Sequence, residues 1–274
     1  MAAAAERTRK MRVGCGVTCP MFHYHPANVA HSFATLGSMY PGRIWLGVGT
    51  GEAMNETPFI DSPGVFPRRW KTRSDMLIEA IQLIREYWNS QDYFSFNGKY
   101  FKLRNAFCYD KPTVPVPIYF SAFGPKAAFL AGQYADHLIT GYSESLQTIL
   151  SEFEKGARTA GKDPAKMEKM VYRDFAFGKR DDILERIKQT GAWFLMSNYY
   201  EPDPRKLEAN LVNLSDEMIG QTALIVESAE EIIESLDRYR KMGVEHVALS
   251  DSSIDPEKTI AVLKEHVVPY FVKA

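Results

Sequence analysis

Residues 46–56 read LGVGTGEAMNE, and the reading of this stretch decides the fold. Glycines at 47, 49 and 51 follow the apolar run IWL at 44–46. A glycine-rich turn after a strand has the form of a phosphate cradle. The dinucleotide fingerprint, however, needs G-x-G-x-x-G, then a helix, then a strand ending in Asp or Glu about 20 residues on. Here the spacing is G-x-G-x-G, residue 52 is Glu, and the following TPFIDSPGVFPRRW carries three prolines. A carboxylate beside a pyrophosphate would also repel it. The stretch reads instead as the C-terminal end of a parallel strand, where (β/α) barrels place their active-site groups. Glycines there let a flat ring approach the backbone. Glu52 is then a candidate acid or base, and Asn55 a hydrogen-bonding partner for a carbonyl or ring nitrogen. The alternative is a tight turn with a solvated glutamate.

Working outward, strand-like and helix-like segments alternate. MRVGCGV (11–17) is extended, and residues 27–39 carry Val29, Phe33, Leu36 and Met39 at helical spacing. The clearest helix covers 67–88, with Leu77, Ala80, Ile81, Ile84, Tyr87 and Trp88 on one face. DYFSFNGKYFKLRNA places two aromatic runs around Asn97-Gly98, a strong hairpin signal. VPIYFSA (116–122), HLIT (137–140), KMVYRDFAF (169–177) and VEHVALS (244–250) read as strands. Helices are expected from Pro125 to Gln133, near 145–160, over 180–192, after Ser228 as an N-cap, and from Pro256. TALIVES (222–228) is extended. Strands separated by helices to the end of the chain favour a (β/α)8 TIM-barrel type of α/β fold. Six strands stand in the series where a full barrel has eight. The chain opens on helix-like AAAAERTRK with no strand before it. The expectation is a single domain over 1–274, truncated at its N-terminus to about six of eight units.

Composition narrows the function. Lys and Arg total 33 against 34 Asp and Glu, so no global field favours nucleic acid or an anionic membrane. No apolar run reaches membrane-spanning length. Three cysteines (Cys15, Cys19, Cys108) make no disulfide framework and fit a reducing compartment, so cytoplasm is expected. Cys15 and Cys19 lack C-x-x-C spacing. His23, His25 and His31 have no partners at ligand spacing, and no metal is expected. His23 or His25 near a cofactor is the more favoured reading. Trp193, Tyr199 and Tyr200 either line a substrate pocket or pack in a core.

GVT-x-P (16–20), YPGR (40–43), LGVGTGE-x-x-NE (46–56), NGKYF-x-L (97–103) and IY-x-x-A-x-GPKAA-x-LAG (118–132) follow one another across most of the chain. In these the chain resembles the luciferase-like barrel superfamily. More narrowly it resembles the branch that uses coenzyme F-420, of the glucose-6-phosphate dehydrogenase and secondary alcohol dehydrogenase type. The resemblance implies a deazaflavin-dependent oxidoreductase that moves a hydride to or from a small alcohol, sugar or carbonyl substrate. It implies a cis Gly16–Val17 bond in a bulge against the ring, and ring contacts from Cys19, the Thr50-Gly51 backbone and Asn55. Cys19 stands where close relatives have Thr. Glu52 matches the proposed acid/base. Phe123, Gly124, Lys126 and Ala127 match a phosphate-binding helix start, with Phe123 in place of a common glycine. Without the resemblance, GPKAA reads as an ordinary proline-led helix start. Glu144 falls near the sugar-phosphate lysine of the dehydrogenase, which argues against glucose 6-phosphate. The family's early Asp-His pair and Trp have no match in residues 1–10. An FMN-dependent monooxygenase is the alternative, and a non-catalytic cofactor-binding barrel protein the second. The resemblance further implies a homodimer.

Overall fold

β-branched and aromatic runs bounded by glycine and proline become strands, and each is followed by a helix with one apolar face. The computed structural model describes residues 1–59, 66–190, 200–209 and 214–272. They form two compact units: residues 1–140 with 145–168, and residues 141–144 with 169–274.

The first unit contains α1 (Ala2–Arg7), β1 (Val13–Thr18), α2 (Pro26–Met39), β2 (Ile44–Val48), the single turn α3 (Ala53–Glu56) and the long α4 (Trp70–Asn89). A hairpin of β3 (Phe94–Asn97) and β4 (Lys102–Ala106) comes next. It is followed by β5 (Ile118–Ser121), α5 (Pro125–Tyr134), β6 (His137–Gly141) and α6 (Leu146–Thr159). Strands β1, β2, β5 and β6 pair in that order, all parallel. Such strands are covered on both faces, so their sequences are near-continuous apolar runs. Leu46, Ile118, Phe120 and Leu138 are accordingly fully buried, as are Leu77, Leu83 and Ile84 of α4. Helices α5 and α6 meet backbone to backbone: a β-carbon on Gly156 would stand 2.0 Å from the Phe129 carbonyl oxygen.

The hairpin differs from its expected turn. Asn97 pairs with Lys102, and the Gly98 N–H donates to the Phe101 carbonyl, so the loop spans four residues, not two. The cause lies on α4. The Glu79 carboxylate accepts from the main-chain N–H groups of Lys99, Tyr100 and Phe101 at 2.9, 2.7 and 2.7 Å. Three donors converging on one carboxylate hold the wider loop open.

The second unit is built on β7 (Lys169–Phe177), followed by α7 (Arg180–Thr190), α8 (Pro204–Ala209) and α9 (Asp216–Thr222). Then come β8 (Leu224–Val226), α10 (Ala229–Lys241), β9 (His246–Asp251) and α11 (Pro256–Val262), which runs through a π turn into α12 (Val268–Val272). β7 pairs in parallel with both β8 and β9. Phe175, Val226, Ile232 and Val267 form a buried cluster. The Ser228 hydroxyl accepts from the Glu231 N–H at 3.2 Å and starts α10 as its spacing requires. Of the aromatic residues read as pocket or core, Trp193 and Tyr199 lie outside the described residues, and Tyr200 is exposed.

Candidate active site

The three glycines of LGVGTGE have a shared structural cause. Gly47 lies in β2, and Gly49 and Gly51 follow it at every second position of the loop. A β-carbon at 47 would stand 2.1 Å from the Cys15 carbonyl oxygen, one at 49 would stand 2.8 Å from Val17 Cγ2, and one at 51 would stand 2.8 Å from Cys19 Sγ. Positions 15, 17 and 19 alternate in step. Glycine at every second residue of β2 and its loop therefore lets β1 and its loop lie close against it. Gly51 also takes φ +72°, in the left-handed region. The register of β1 on β2 shifts between Cys15 and Thr18, and the Gly16–Val17 peptide in that bulge is cis. Gly16 and Val17 are exposed there.

The β2 loop carries the carboxyl groups. Glu52 occupies the N-cap position of α3 without capping it through its side chain. Its Oε2 instead accepts from Asn55 Nδ2 at 3.1 Å. Burial, and then the neighbouring Glu56, push the Glu52 carboxyl above the usual carboxylate range. Glu56 is 7% exposed. Burial raises its carboxyl too, against the opposing pull of the His23 main-chain N–H and the Cys19 thiol. Cys19 is itself buried, and burial and the Glu56 charge push its thiol well up. Cys19 thus packs against Gly51 and Glu56. Burial and the neighbouring carboxyl both favour the neutral S–H form of this thiol.

The third component sits at the end of β5. Phe123 is 57% exposed, Gly124 is the N-cap of α5, and Pro125 fills the first helical position. No side chain caps this helix. A β-carbon on Gly124 would meet nothing within 4 Å. Lys126 is exposed and Ala127 half-buried in the first turn. Open N–H groups at the positive end of a helix dipole, with a lysine beside them, suit a phosphate.

β1, β2 and β5 are consecutive neighbours in the parallel ladder. The cis bulge, the Thr50–Asn55 turn and the α5 N-terminus therefore all lie at the C-terminal ends of adjacent strands, where active sites of such sheets are built. One arrangement sets a carboxyl with a raised pKa one strand away from an uncapped helix start. His25 has a different task. Its Nδ1 accepts from the Ala27 N–H at 3.1 Å and caps α2, and burial lowers its pKa. His23 stacks on Tyr24 at 4.1 Å. Among the described residues no group of three His, Cys, Asp or Glu side chains is placed to hold a metal ion. Nor is any described helix long and apolar enough to cross a membrane. Sequence reasoning did not single out Glu56, which stood only as the last residue of LGVGTGE-x-x-NE. The available clue was its spacing of four from Glu52.

Comparison with known proteins gives the same fold. The model of a family described as luciferase-like monooxygenase matches residues 1–246. An F-420-dependent glucose-6-phosphate dehydrogenase from Nakamurella multipartita is 33% identical over 98% of this chain and 80% of its own. An F-420-dependent hydroxymycolic acid dehydrogenase from Mycobacterium tuberculosis is 42% identical over 62% of this chain and 46% of its own. Among solved structures, an F-420-dependent secondary alcohol dehydrogenase in complex with an F-420–acetone adduct aligns with a TM-score of 0.90. That match has 38% identity and covers 97% of this chain and 82% of the other.

Proposed function

The chain belongs to the luciferase-like monooxygenase family, and from that premise we propose that it is a coenzyme F-420-dependent oxidoreductase acting on a small alcohol and its carbonyl counterpart. The observation that carries this reading is Glu52, a half-buried carboxyl held above its ordinary pKa at a strand end, one strand from an uncapped helix start. Relatives named as F-420-dependent dehydrogenases support the cofactor and the reaction class.

The residues present fit such a cofactor. The uncapped α5 N-terminus, with open space at Gly124 and a positive charge at Lys126, suits its phosphodiester. The exposed Gly16–Val17 bulge and the Thr50-Gly51 backbone offer a ring-sized face of main chain, with Asn55 beside it. Cys19 packs against that loop. When bound, F-420 supplies a ring carbon that takes up or gives back a hydride, chemistry that no side chain of the protein carries. What the chain supplies is position and proton control. Glu52, keeping its proton to higher pH than an ordinary glutamate, holds a hydrogen available at the mouth of the β2 loop. Asn55 fixes the direction of the Glu52 carboxyl through its 3.1 Å hydrogen bond. Such positioned proton transfer contributes about 10²–10⁴-fold to rate.

The substrate reading favours an uncharged molecule. By the resemblance, Glu144 falls near the sugar-phosphate lysine of the dehydrogenase, and its negative charge disfavours a sugar phosphate. A homodimer in the cytoplasm is the setting the resemblance supports. The test is direct. Purified protein is titrated with F-420 and, separately, with FMN, following cofactor fluorescence, and then supplied with a panel of small secondary alcohols. Binding of F-420 and alcohol-dependent loss of its fluorescence are expected. Tight binding of FMN alone, with oxygen uptake, would make the protein a monooxygenase instead.

A further inference from the structure

The β2 loop carries two carboxyl groups one helical turn apart, and their surroundings differ. The Glu56 N–H donates to the Glu52 carbonyl at 3.0 Å, and the i, i+4 spacing puts both side chains on one side of the turn. Glu52 is partly open to solvent. Glu56 is enclosed, and its Oε2 is buried with no hydrogen-bond partner among the described residues. Donors nonetheless reach the Glu56 carboxylate from the loop after β1: the Cys19 thiol and the His23 main-chain N–H, with the His23 imidazole nearby. Among the described residues, Glu52 has no such cationic or thiol neighbour. Among the described residues, Cys19 and His23 from that loop, and the two glutamates themselves, are the titratable groups that bear on the pair.

We propose that Glu56 is a positioning residue for Glu52: the buried carboxylate, anchored by Cys19 and His23, repels a second negative charge one turn away and so keeps the proton on Glu52 where a ligand meets the loop. Two carboxyl groups this close do not ionise independently, and the one with donors ionises first. Glu56 is the one with donors. Its negative charge then opposes ionisation of Glu52. Burial alone would raise Glu52 somewhat; the added charge makes the proton's retention depend on a second, enclosed residue as well. The Gly51 backbone, pressed against both Cys19 and Glu56, fixes the distance over which this repulsion acts.

The inference rests on reading Glu52 as the acid of the site, and its test needs no cofactor. The full chain is labelled with ¹³C at the glutamate carboxyl carbons and titrated by NMR, with Glu52 and Glu56 assigned from Glu52→Gln and Glu56→Gln. The Glu52 midpoint should fall in Glu56→Gln. In the unmodified chain the Glu56 resonance should show a second, smaller inflection at the Glu52 midpoint, and Glu52→Gln should abolish it. An unchanged or higher Glu52 midpoint in Glu56→Gln overturns the inference. So does a single Glu56 inflection in the unmodified chain, and that measurement decides the matter even where Glu56→Gln does not fold. A purely structural role for Glu56 would lower the folded fraction without moving any midpoint. In the loaded enzyme, the pH limb of kcat should move to lower pH in Glu56→Gln. Uncoupled carboxyls with intact F-420 binding would sink this inference alone. Coupled carboxyls without F-420 binding would sink the cofactor reading alone.

Discussion

Gly51 and Glu56 are in such close register that a β-carbon on Gly51 would stand 2.8 Å from Glu56 Cγ, and equally close to Cys19 Sγ. The backbone at Gly51 also has φ +72°. Two independent penalties therefore meet at one residue. A left-handed conformation costs a non-glycine residue about 1–2 kcal/mol, and overpacking adds about 1–3 kcal/mol. Gly51→Ala should lower stability by roughly 2–4 kcal/mol in urea denaturation, and weaken F-420 binding as the loop shifts. A loss below about 0.5 kcal/mol, within the range of ordinary surface changes, would show that the loop has slack the structure does not display.

Glu52→Gln separates chemistry from binding. Turnover should fall by about 10²–10⁴-fold, while the F-420 dissociation constant changes by less than about fivefold. Steady-state kinetics and fluorescence titration read the two quantities separately. The pH sign follows from the raised folded-state pKa. A carboxyl raised on folding stabilises the fold below its unfolded pKa and loses that contribution as pH rises through the folded value. Above the folded value an ionised Glu52 is thus a cost, and Glu52→Gln should there melt no lower than the unmodified chain. Equal loss of affinity and turnover would assign Glu52 to binding instead.

His25 offers a second pH handle. Its Nδ1 accepts from Ala27 only while the ring nitrogen is unprotonated, and burial lowers the folded-state pKa below the unfolded value. For a base with a depressed pKa, the stability is present above the unfolded value and disappears as pH falls through the folded one. The melting temperature should therefore drop on acidification below about 6.5. His25→Asn, which keeps an N-cap acceptor without a titrating proton, should flatten that part of the profile. His25→Ala should cost about 1 kcal/mol at neutral pH. A profile unaltered by His25→Asn would remove the cap from the pH dependence.

Glu79 anchors the tip of the hairpin from the neighbouring helix. Charge-assisted hydrogen bonds of this kind contribute about 1.5–3 kcal/mol each when solvent is excluded, and less where the loop is partly exposed. Glu79→Ala should cost roughly 2–4 kcal/mol overall. It should also speed amide exchange at residues 99, 100 and 101 ahead of the rest of the chain, which hydrogen exchange reads directly. Glu79→Gln, retaining one acceptor oxygen, should lie between.

Local signals were the legible part of this protein. The apolar face of α4, the Ser228 cap of α10 and the proline-led start of α5 each depend on residues within a few positions, and each forms where its spacing points. The parallel pairing of the strands followed from their alternation with helices. What eluded the sequence depends on partners far along the chain. Asn97-Gly98 called for a two-residue turn, yet Glu79, some twenty residues earlier, draws the loop wider. Glu56 did not stand out because the groups that enclose it, Cys19 and His23, come from the previous strand–helix unit. The glycines of LGVGTGE were read as room for a ligand. Much of that room is occupied by positions 15, 17 and 19 of β1 and its loop. The cis Gly16–Val17 bond was accessible through family resemblance alone, because no local pattern marks it.

The grip of Glu79 on the hairpin has a consequence for how this surface can evolve. It holds main-chain N–H groups, which every residue except proline provides, and these hydrogen bonds take nothing from the side chains of Lys99 and Tyr100. Those two positions are therefore free to drift through most of the amino-acid alphabet with the loop's path conserved. Glu79, buried in the grammar of a different element, is the letter that must be kept.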